Sequence, residues 1–216
     1  IYSVILIPLI LWLLKDQYIR HQTYLVKRDQ KVQSTEANSD YTAREMLSEP
    51  RFFLIIPAIL ASPFLLTGLL FHQVSIVEYK NWSMSSVANG FMGLAISSFL
   101  TSLMLGPLID KWRAINLLPY ILSPLILALF VLNYFQNEFF IFIYLILLGS
   151  CLGTTFTISG AIWPEIYGTK NLGAIKSIIK AIMVCSSALS PWVFGLLFDA
   201  GLGITGVSYL GAAIII

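Results

Sequence analysis

Seven long apolar runs constrain this chain more than any other feature. Each inner run has enough residues to cross a bilayer as a helix, which takes about 20. Inside lipid only helices and closed barrels satisfy their own backbone hydrogen bonds. Because barrel strands are alternating and only about ten residues long, the sequence instead predicts an all-α, polytopic transmembrane helical bundle. We expect about seven spans, the outer two truncated by the ends of the sequence, at 1–14, 52–72, 83–109, 117–135, 139–163, 175–198 and 201–216.

The composition agrees with a membrane protein. The chain is 57% hydrophobic and 11% charged, whereas soluble domains carry about 25% charged residues. A net charge of +2 predicts no nucleic-acid partner. Cys151 and Cys185 both lie inside apolar runs, as small buried residues do. No Cys or His spacing indicates a disulfide framework, a metal site or a cofactor.

The distribution of basic residues predicts the orientation. All but one of the 13 Lys and Arg residues fall in or just after the loops 15–51, 110–116 and 164–174. Basic loops remain on the cytoplasmic side. We therefore expect these three loops to be cytoplasmic in a multi-pass protein of a plasma or inner membrane, with Lys80 on the other side.

A polar stretch divides the chain near residue 41. Residues 27–41 are rich in Gln, Ser, Asp and Asn, a composition typical of a flexible linker. Thr42 and Glu45 then fit a capping box that opens a short helix. Pro50 should end that helix.

Small residues recur at three- and four-residue spacing in two of the runs. Gly90 and Gly93 lie in the third run, and Gly149 and Gly153 in the fifth. Such spacing lets the backbones of membrane helices approach closely. We expect these two spans to be packed against neighbours.

Polar residues inside the spans are the candidates for binding a solute. Lys180 is the main one, because an ionisable residue within a span is a default functional candidate, but it can also extend to the headgroups. Asn89, Thr154 and Thr155 lie at depth and serve either a solute or hydrogen bonds between helices. No Asp or Glu falls in the middle of a span, which argues against a cationic cargo held here.

The turn between the third and fourth runs contains Gly106, Asp110 and Lys111 in the spacing Gly-x-x-x-Asp-Lys. It resembles the loop Gly-x-x-x-Asp-(Arg/Lys)-x-Gly-(Arg/Lys) that joins the second and third spans of each half in the major facilitator superfamily. The sequence departs from the motif at its end, where Arg113 replaces the glycine and Ala114 the final base. The resemblance implies a secondary transporter.

Two further segments are similar to the monocarboxylate and oxalate–formate branch of that family. They are the passage 42–53, which resembles the approach to the seventh helix, and the loop 164–174, which resembles the one after the tenth. The resemblance implies the sixth to twelfth helices of a twelve-helix carrier. Residues 1–14 would end the N-terminal half, 15–50 would be the cytoplasmic central linker, and 51–216 the C-terminal six-helix half.

The same loops carry candidate gating residues. A carboxylate at the inner end of a helix is unfavourable unless a base lies nearby, and ion pairs across these loops can form in one transport state only. The alternative is a charged turn that sets topology alone. Exposed pairs contribute about 0–1 kcal/mol each, enough to bias two balanced states. The candidates are Gly106, Asp110, Lys111, Arg113, Glu165 and Lys170.

The favoured function is secondary active transport of a small solute by alternating access. The cargo that best fits Lys180 is an organic anion such as a monocarboxylate, coupled to protons or to a counter-anion. The expected partners are the lipid bilayer and the N-terminal half of the same protein. The alternatives are a lipid-modifying membrane enzyme and a channel. We expect neither, because the sequence has no converging catalytic set and no filter motif or charged ring.

Overall fold

A computed structural model describes residues 41–203 together with residues 206, 209 and 211. All of them belong to the unit that begins at Asp40. The first predicted span, the linker as far as residue 40 and most of the run 201–216 lie outside the described residues. Within the described part the chain is helical and has no strand, which confirms the all-α prediction.

Among residues 41–203, five stretches are long and apolar enough to cross a membrane: Pro50–Phe71, Met84–Trp112, Ala114–Tyr134, Phe140–Tyr167 and Leu172–Asp199. They correspond to the five predicted spans between 52 and 198. The described helices are α1 (Ala43–Ser48), α2 (Pro50–Phe71), α3 (Gln73–Lys80), α4 (Met84–Trp112), α5 (Ala114–Leu117), α6 (Ser123–Tyr134), α7 (Phe140–Tyr167) and α8 (Leu172–Asp199), with one turn of 3-10 helix at Leu118–Tyr120.

Three predicted loops have the wrong boundaries. Helix α4 continues through the charged residues to Trp112, so that Arg113 alone separates it from α5. Helix α7 continues past Pro164 to Tyr167, which shortens the loop 164–174 to residues 168–171. Residues 73–82 contain α3. A proline inside a membrane helix is tolerated where neighbouring groups satisfy the freed carbonyl, so Pro164 does not end α7.

The predicted capping box is present at the start of α1. The Thr42 hydroxyl accepts a hydrogen bond from the Glu45 backbone N–H at 3.3 Å, and the Glu45 carboxylate accepts one from the Thr42 backbone N–H at 2.7 Å. The bond from the Thr42 backbone lowers the pKa of Glu45. Pro50 is the first residue of α2, where its missing N–H costs nothing.

Helices α4 and α7 approach so closely at Gly149 and Gly153 that neither position has room for a side chain. A Cβ on Gly149 would lie 2.8 Å from the Leu94 carbonyl carbon of α4, and a Cβ on Gly153 would overlap the Ser98 carbonyl oxygen. This confirms the predicted role of the two glycines. Their absent side chains bring the α7 backbone onto that of α4.

Contacts along the pair show that α4 and α7 run parallel. Gly90 faces Leu145 near the start of both helices. Further along, the Ser102 hydroxyl donates a hydrogen bond to the Gly153 carbonyl at 3.3 Å. Later residues of one helix therefore meet later residues of the other.

Helices α2 and α8 form a second parallel pair. The Ser186 hydroxyl donates to the Leu60 carbonyl at 3.4 Å, and one turn later the Ser190 hydroxyl donates to the Phe64 carbonyl at 2.5 Å. Donor and acceptor both advance by four residues from the first bond to the second, so the two helices run in the same direction.

The two pairs are antiparallel to each other. Near the start of α2, the Phe52 ring lies 6.2 Å from the Trp163 ring of α7, and Ser62 is hydrogen-bonded to Thr155 at 2.6 Å. As α2 advances it therefore meets earlier residues of α7. We call the end of the bundle with Arg113 and Glu165 the basic end, and the other end the opposite end.

Candidate functional site

A small cleft between α7 and α8 contains the main candidate from the sequence. It has a volume of about 80 Å³ and is lined by Phe156, Ser159, Gly160, Trp163, Lys176, Ile179 and Lys180. The Lys180 ammonium lies 5.3 Å from the centroid of the Phe156 ring, within the range of a cation–π interaction. Lys176 lies one helical turn earlier and lines the same cleft.

The α8 sequence explains why both lysines lie beside the cleft. Ile175, Ile179 and Met183 form a buried stripe at four-residue spacing, which fixes the face that α8 turns inward. Lys176 and Lys180 each follow a residue of that stripe. They are therefore held at its edge, where the stems pack and the ammonium groups remain accessible.

Trp163 also lines the cleft, and its indole N–H is buried beneath the surface. The residue is 1% exposed, and its indole N–H has no partner among the described residues. An unpaired buried donor costs about 1–3 kcal/mol. The two lysine side chains and the Phe156 ring form a set that suits a small anion.

The other predicted binding residues do not line this cleft. Thr155 bonds to the Cys151 carbonyl at 2.8 Å and to Ser62 of α2, and Thr154 bonds to the Ser150 carbonyl at 2.8 Å. Asn89 is exposed on α4. Of the predicted binding residues, Lys180 alone belongs to the cleft, whereas Thr155 joins two helices.

At the basic end Glu165 binds two groups of the segment that follows α4. Its carboxylate lies 2.9 Å from the Arg113 Nε and accepts a hydrogen bond from the Ala114 backbone N–H at 2.7 Å. Ala114 is fully buried and opens α5, so this second bond satisfies an N–H that the helix leaves unpaired. Glu165 therefore fixes α5 to α7.

The other predicted gating residues are not part of this contact. Asp110 and Lys111 are exposed in the last turn of α4, and Lys170 lies in the turn before α8. The ion pairs found within the described part are Arg51 with Glu49 and Arg113 with Glu165. A Cβ on Gly106 would meet nothing, so packing does not require glycine there.

Arg113 has a backbone conformation that favours glycine. Its φ is 66° and its ψ is 143°, a region where a side chain costs about 1–3 kcal/mol. The turn between α4 and α5 therefore has a backbone that favours glycine but carries an arginine that reaches Glu165.

The opposite end has a contact that the sequence did not predict. Glu138, two residues before α7, accepts hydrogen bonds from the Ser83 hydroxyl and from the Ser83 backbone N–H, the latter at 3.0 Å. Ser83 is the N-cap of α4. Helix α7 is thus joined at both ends to the α4 segment by a glutamate. The sequence offered one indication of this contact, an acidic residue in the very short loop between α6 and α7.

Two side chains next to Ser83 strengthen the same junction. The Trp82 indole N–H donates to the Gln136 carbonyl at 2.8 Å, and the Lys80 ammonium donates to the Phe135 carbonyl at 3.2 Å. Burial lowers the pKa of Lys80. These bonds fix the loop between α6 and α7 against the start of α4.

The Glu138 contact predicts a pH dependence of stability. The Ser83 hydroxyl, followed by Ser86 and the Ser83 backbone, lowers the pKa of Glu138. A lowered pKa in the folded state stabilises the fold above the ordinary carboxyl pKa, and this stabilisation is lost as the pH falls through the lowered value. We expect the melting temperature in detergent to fall in that acidic window, and to fall less for Glu138→Gln.

Glu78→Gln is the matched control, because Glu78 is an exposed acid of the same end. It should keep the acidic decrease of the unaltered protein. An identical pH profile for Glu138→Gln and the unaltered protein would contradict the assignment.

No protein-family model matches the chain, and no curated protein matches it in sequence.

Proposed function

We propose that the chain is the C-terminal half of a secondary active transporter of the major facilitator type, and that its cargo is a small organic anion such as a monocarboxylate. Transport proceeds by alternating access, coupled to protons or a counter-anion, with the N-terminal half of the same protein forming the other side of the route. The basic end faces the cytoplasm of a plasma or inner membrane.

The observation that carries the proposal is the cleft beside Lys176 and Lys180. A carboxylate entering it would meet a lysine ammonium next to the Phe156 ring. Charge-assisted hydrogen bonds contribute about 1.5–3 kcal/mol each. Binding of this strength still allows the cargo to dissociate on the other side of the membrane. The aromatic face favours an anion with an apolar substituent.

The pairing of the helices supports a model in which the two helix pairs move relative to each other during transport. Helices α4 and α7 share backbone contacts and a glutamate at each end, so they move as one body. The α2–α7 contact includes the hydroxyl pair Ser62 and Thr155. We assign the rearrangement that opens the Lys180 cleft to the boundary between the two helix pairs.

The test is uptake of a carboxylate panel by the full-length protein in vesicles, with and without a pH gradient. We expect Lys180→Gln to lower the initial uptake rate about tenfold or more, since one charge-assisted hydrogen bond is lost. Lys180→Arg should retain part of the uptake. Arg44→Gln, which removes an exposed charge on α1, should transport normally.

Two outcomes would refute the proposal. If no carboxylate accumulates in the vesicles, the anion is wrong. If Lys180→Gln takes up cargo at the full rate, Lys180 only extends to the headgroups and the cleft is not the binding site.

A further inference from the structure

A second, larger cleft lies at the basic end. It is open, has a volume of about 460 Å³, and is lined by Lys111, Trp112, Arg113, Asn116, Leu117 and Tyr120. These residues come from the last turn of α4, the turn at Arg113, and the helical segment that follows. The cargo proposal does not use this cleft.

The length of α4 sets the depth of this cleft in a bilayer. The helix has 29 residues and is therefore about 43 Å long, whereas the hydrocarbon core is about 30 Å thick. Its terminal turn thus emerges among the headgroups. Trp112 is 52% and Tyr120 66% exposed, as aromatic side chains at a membrane interface are.

The cleft also has a charge pattern that suits a phosphate. Lys111 is exposed. Arg113 uses its Nε to bind Glu165, and this bond holds the guanidinium while its remaining N–H groups have no acceptor among the described residues. Arginine and lysine donors together suit an anion with several oxygens. Asp110 and Glu165 are the acidic neighbours, and Glu165 is already occupied.

We propose that this cleft binds the phosphate headgroup of an anionic glycerophospholipid from the leaflet at the basic end. Lys111 and Arg113 donate to the phosphate oxygens, and Trp112 and Tyr120 lie beside the glycerol. Buried Leu117 provides an apolar floor for the first acyl carbons. Basic pockets at helix ends bind anionic headgroups in this way. The site requires only that the helices span a bilayer, so it is independent of the cargo.

The exposed aromatic side chains favour a lipid over a dissolved phosphate. A soluble anion would gain from Lys111 and Arg113 but would leave Trp112 and Tyr120 without a partner. A lipid uses both sets of groups, because its headgroup and its glycerol backbone lie at adjacent depths.

The experiment titrates the full-length protein in detergent with phosphatidylglycerol and measures the dissociation constant of the first bound lipid by native mass spectrometry. We expect Lys111→Gln to weaken binding about fivefold, the effect of one basic residue near a membrane surface. Arg113 is left in place, so the Glu165 contact persists. The control Arg44→Gln should bind as tightly as the unaltered protein.

Trp112→Ala is the second variant, and it should also weaken binding without lowering the melting temperature. The loss of lipid binding in Trp112→Ala still tests the proposal if Lys111→Gln folds poorly. Equal affinity for phosphatidylcholine would overturn the proposal, because that headgroup has no net charge. Displacement of phosphatidylglycerol by inorganic phosphate would show a site for a soluble anion instead. Unchanged affinity in both variants would place the lipid elsewhere.

Discussion

Replacing Gly149 with alanine is expected to destabilise the protein by about 1–3 kcal/mol, the usual cost of overpacking a close contact. The added methyl would lie 2.8 Å from the Leu94 carbonyl carbon. Because the obstacle is backbone, no rotamer change can relieve it, and the two helices must separate. The measurement is the melting temperature in detergent, followed by the loss of the monodisperse peak after heating.

Gly160→Ala is the matched control for this stability measurement. Gly160 belongs to the same helix, and a Cβ there would meet nothing within 4 Å. Its melting temperature should stay the same or rise slightly, since alanine favours the helix over glycine. Equal melting temperatures for Gly149→Ala and Gly160→Ala would show that α4 and α7 are not in backbone contact.

Glu165→Ala should have the second largest effect, and most of it should come from the bond to Ala114. Removing the carboxylate leaves a fully buried backbone N–H without its acceptor, which costs about 1–3 kcal/mol. Arg113→Gln removes only the exposed ion pair, worth about 0–1 kcal/mol. We therefore expect a clear loss of thermal stability in Glu165→Ala and a small one in Arg113→Gln.

The comparison separates two roles for Glu165. If both variants lose the same stability, the ion pair carries the contact and the Ala114 bond is incidental. If Glu165→Ala is as stable as the unaltered protein, α5 does not depend on α7. Circular dichroism on the same samples shows whether helix is lost in addition.

The sequence predicts the elements of this fold well where a simple energetic rule dominates. Long apolar runs become helices because lipid leaves no other choice to the backbone, and the five described spans follow. The capping box at Thr42 and Glu45 is a local interaction, so a stretch of four residues is enough to predict it. Gly149 and Gly153 are readable because close backbone packing excludes side chains.

The contacts at the two ends could not be predicted in the same way. Glu165 falls in the predicted loop 164–174, yet it lies in α7. Its bond to Ala114 depends on the turn at Arg113, where no glycine in the sequence indicates the positive φ. Glu138 meets Ser83 only once α4 and α7 are side by side. Such pairings depend on tertiary arrangement, which periodicity does not encode.

The Lys180 cleft lies between these two cases. The charge within a span was visible, and its neighbour Lys176 follows from helical spacing. The sequence did not predict that Phe156 and Trp163 line the cleft, because aromatic residues occur throughout the spans. The separation of Thr154 and Thr155 from Lys180 also requires the three-dimensional packing.

The parallel direction of α4 and α7 has a consequence for biosynthesis. Consecutive membrane spans alternate in direction, so a parallel pair has at least one span between its two members in the chain. Here that span is Ala114–Tyr134, and the close contact of α4 with Gly149 and Gly153 can form only after α7 has been synthesised and inserted. Until then the Ser102 hydroxyl has no Gly153 carbonyl to bind. Assembly of this part of the bundle must therefore wait for α7.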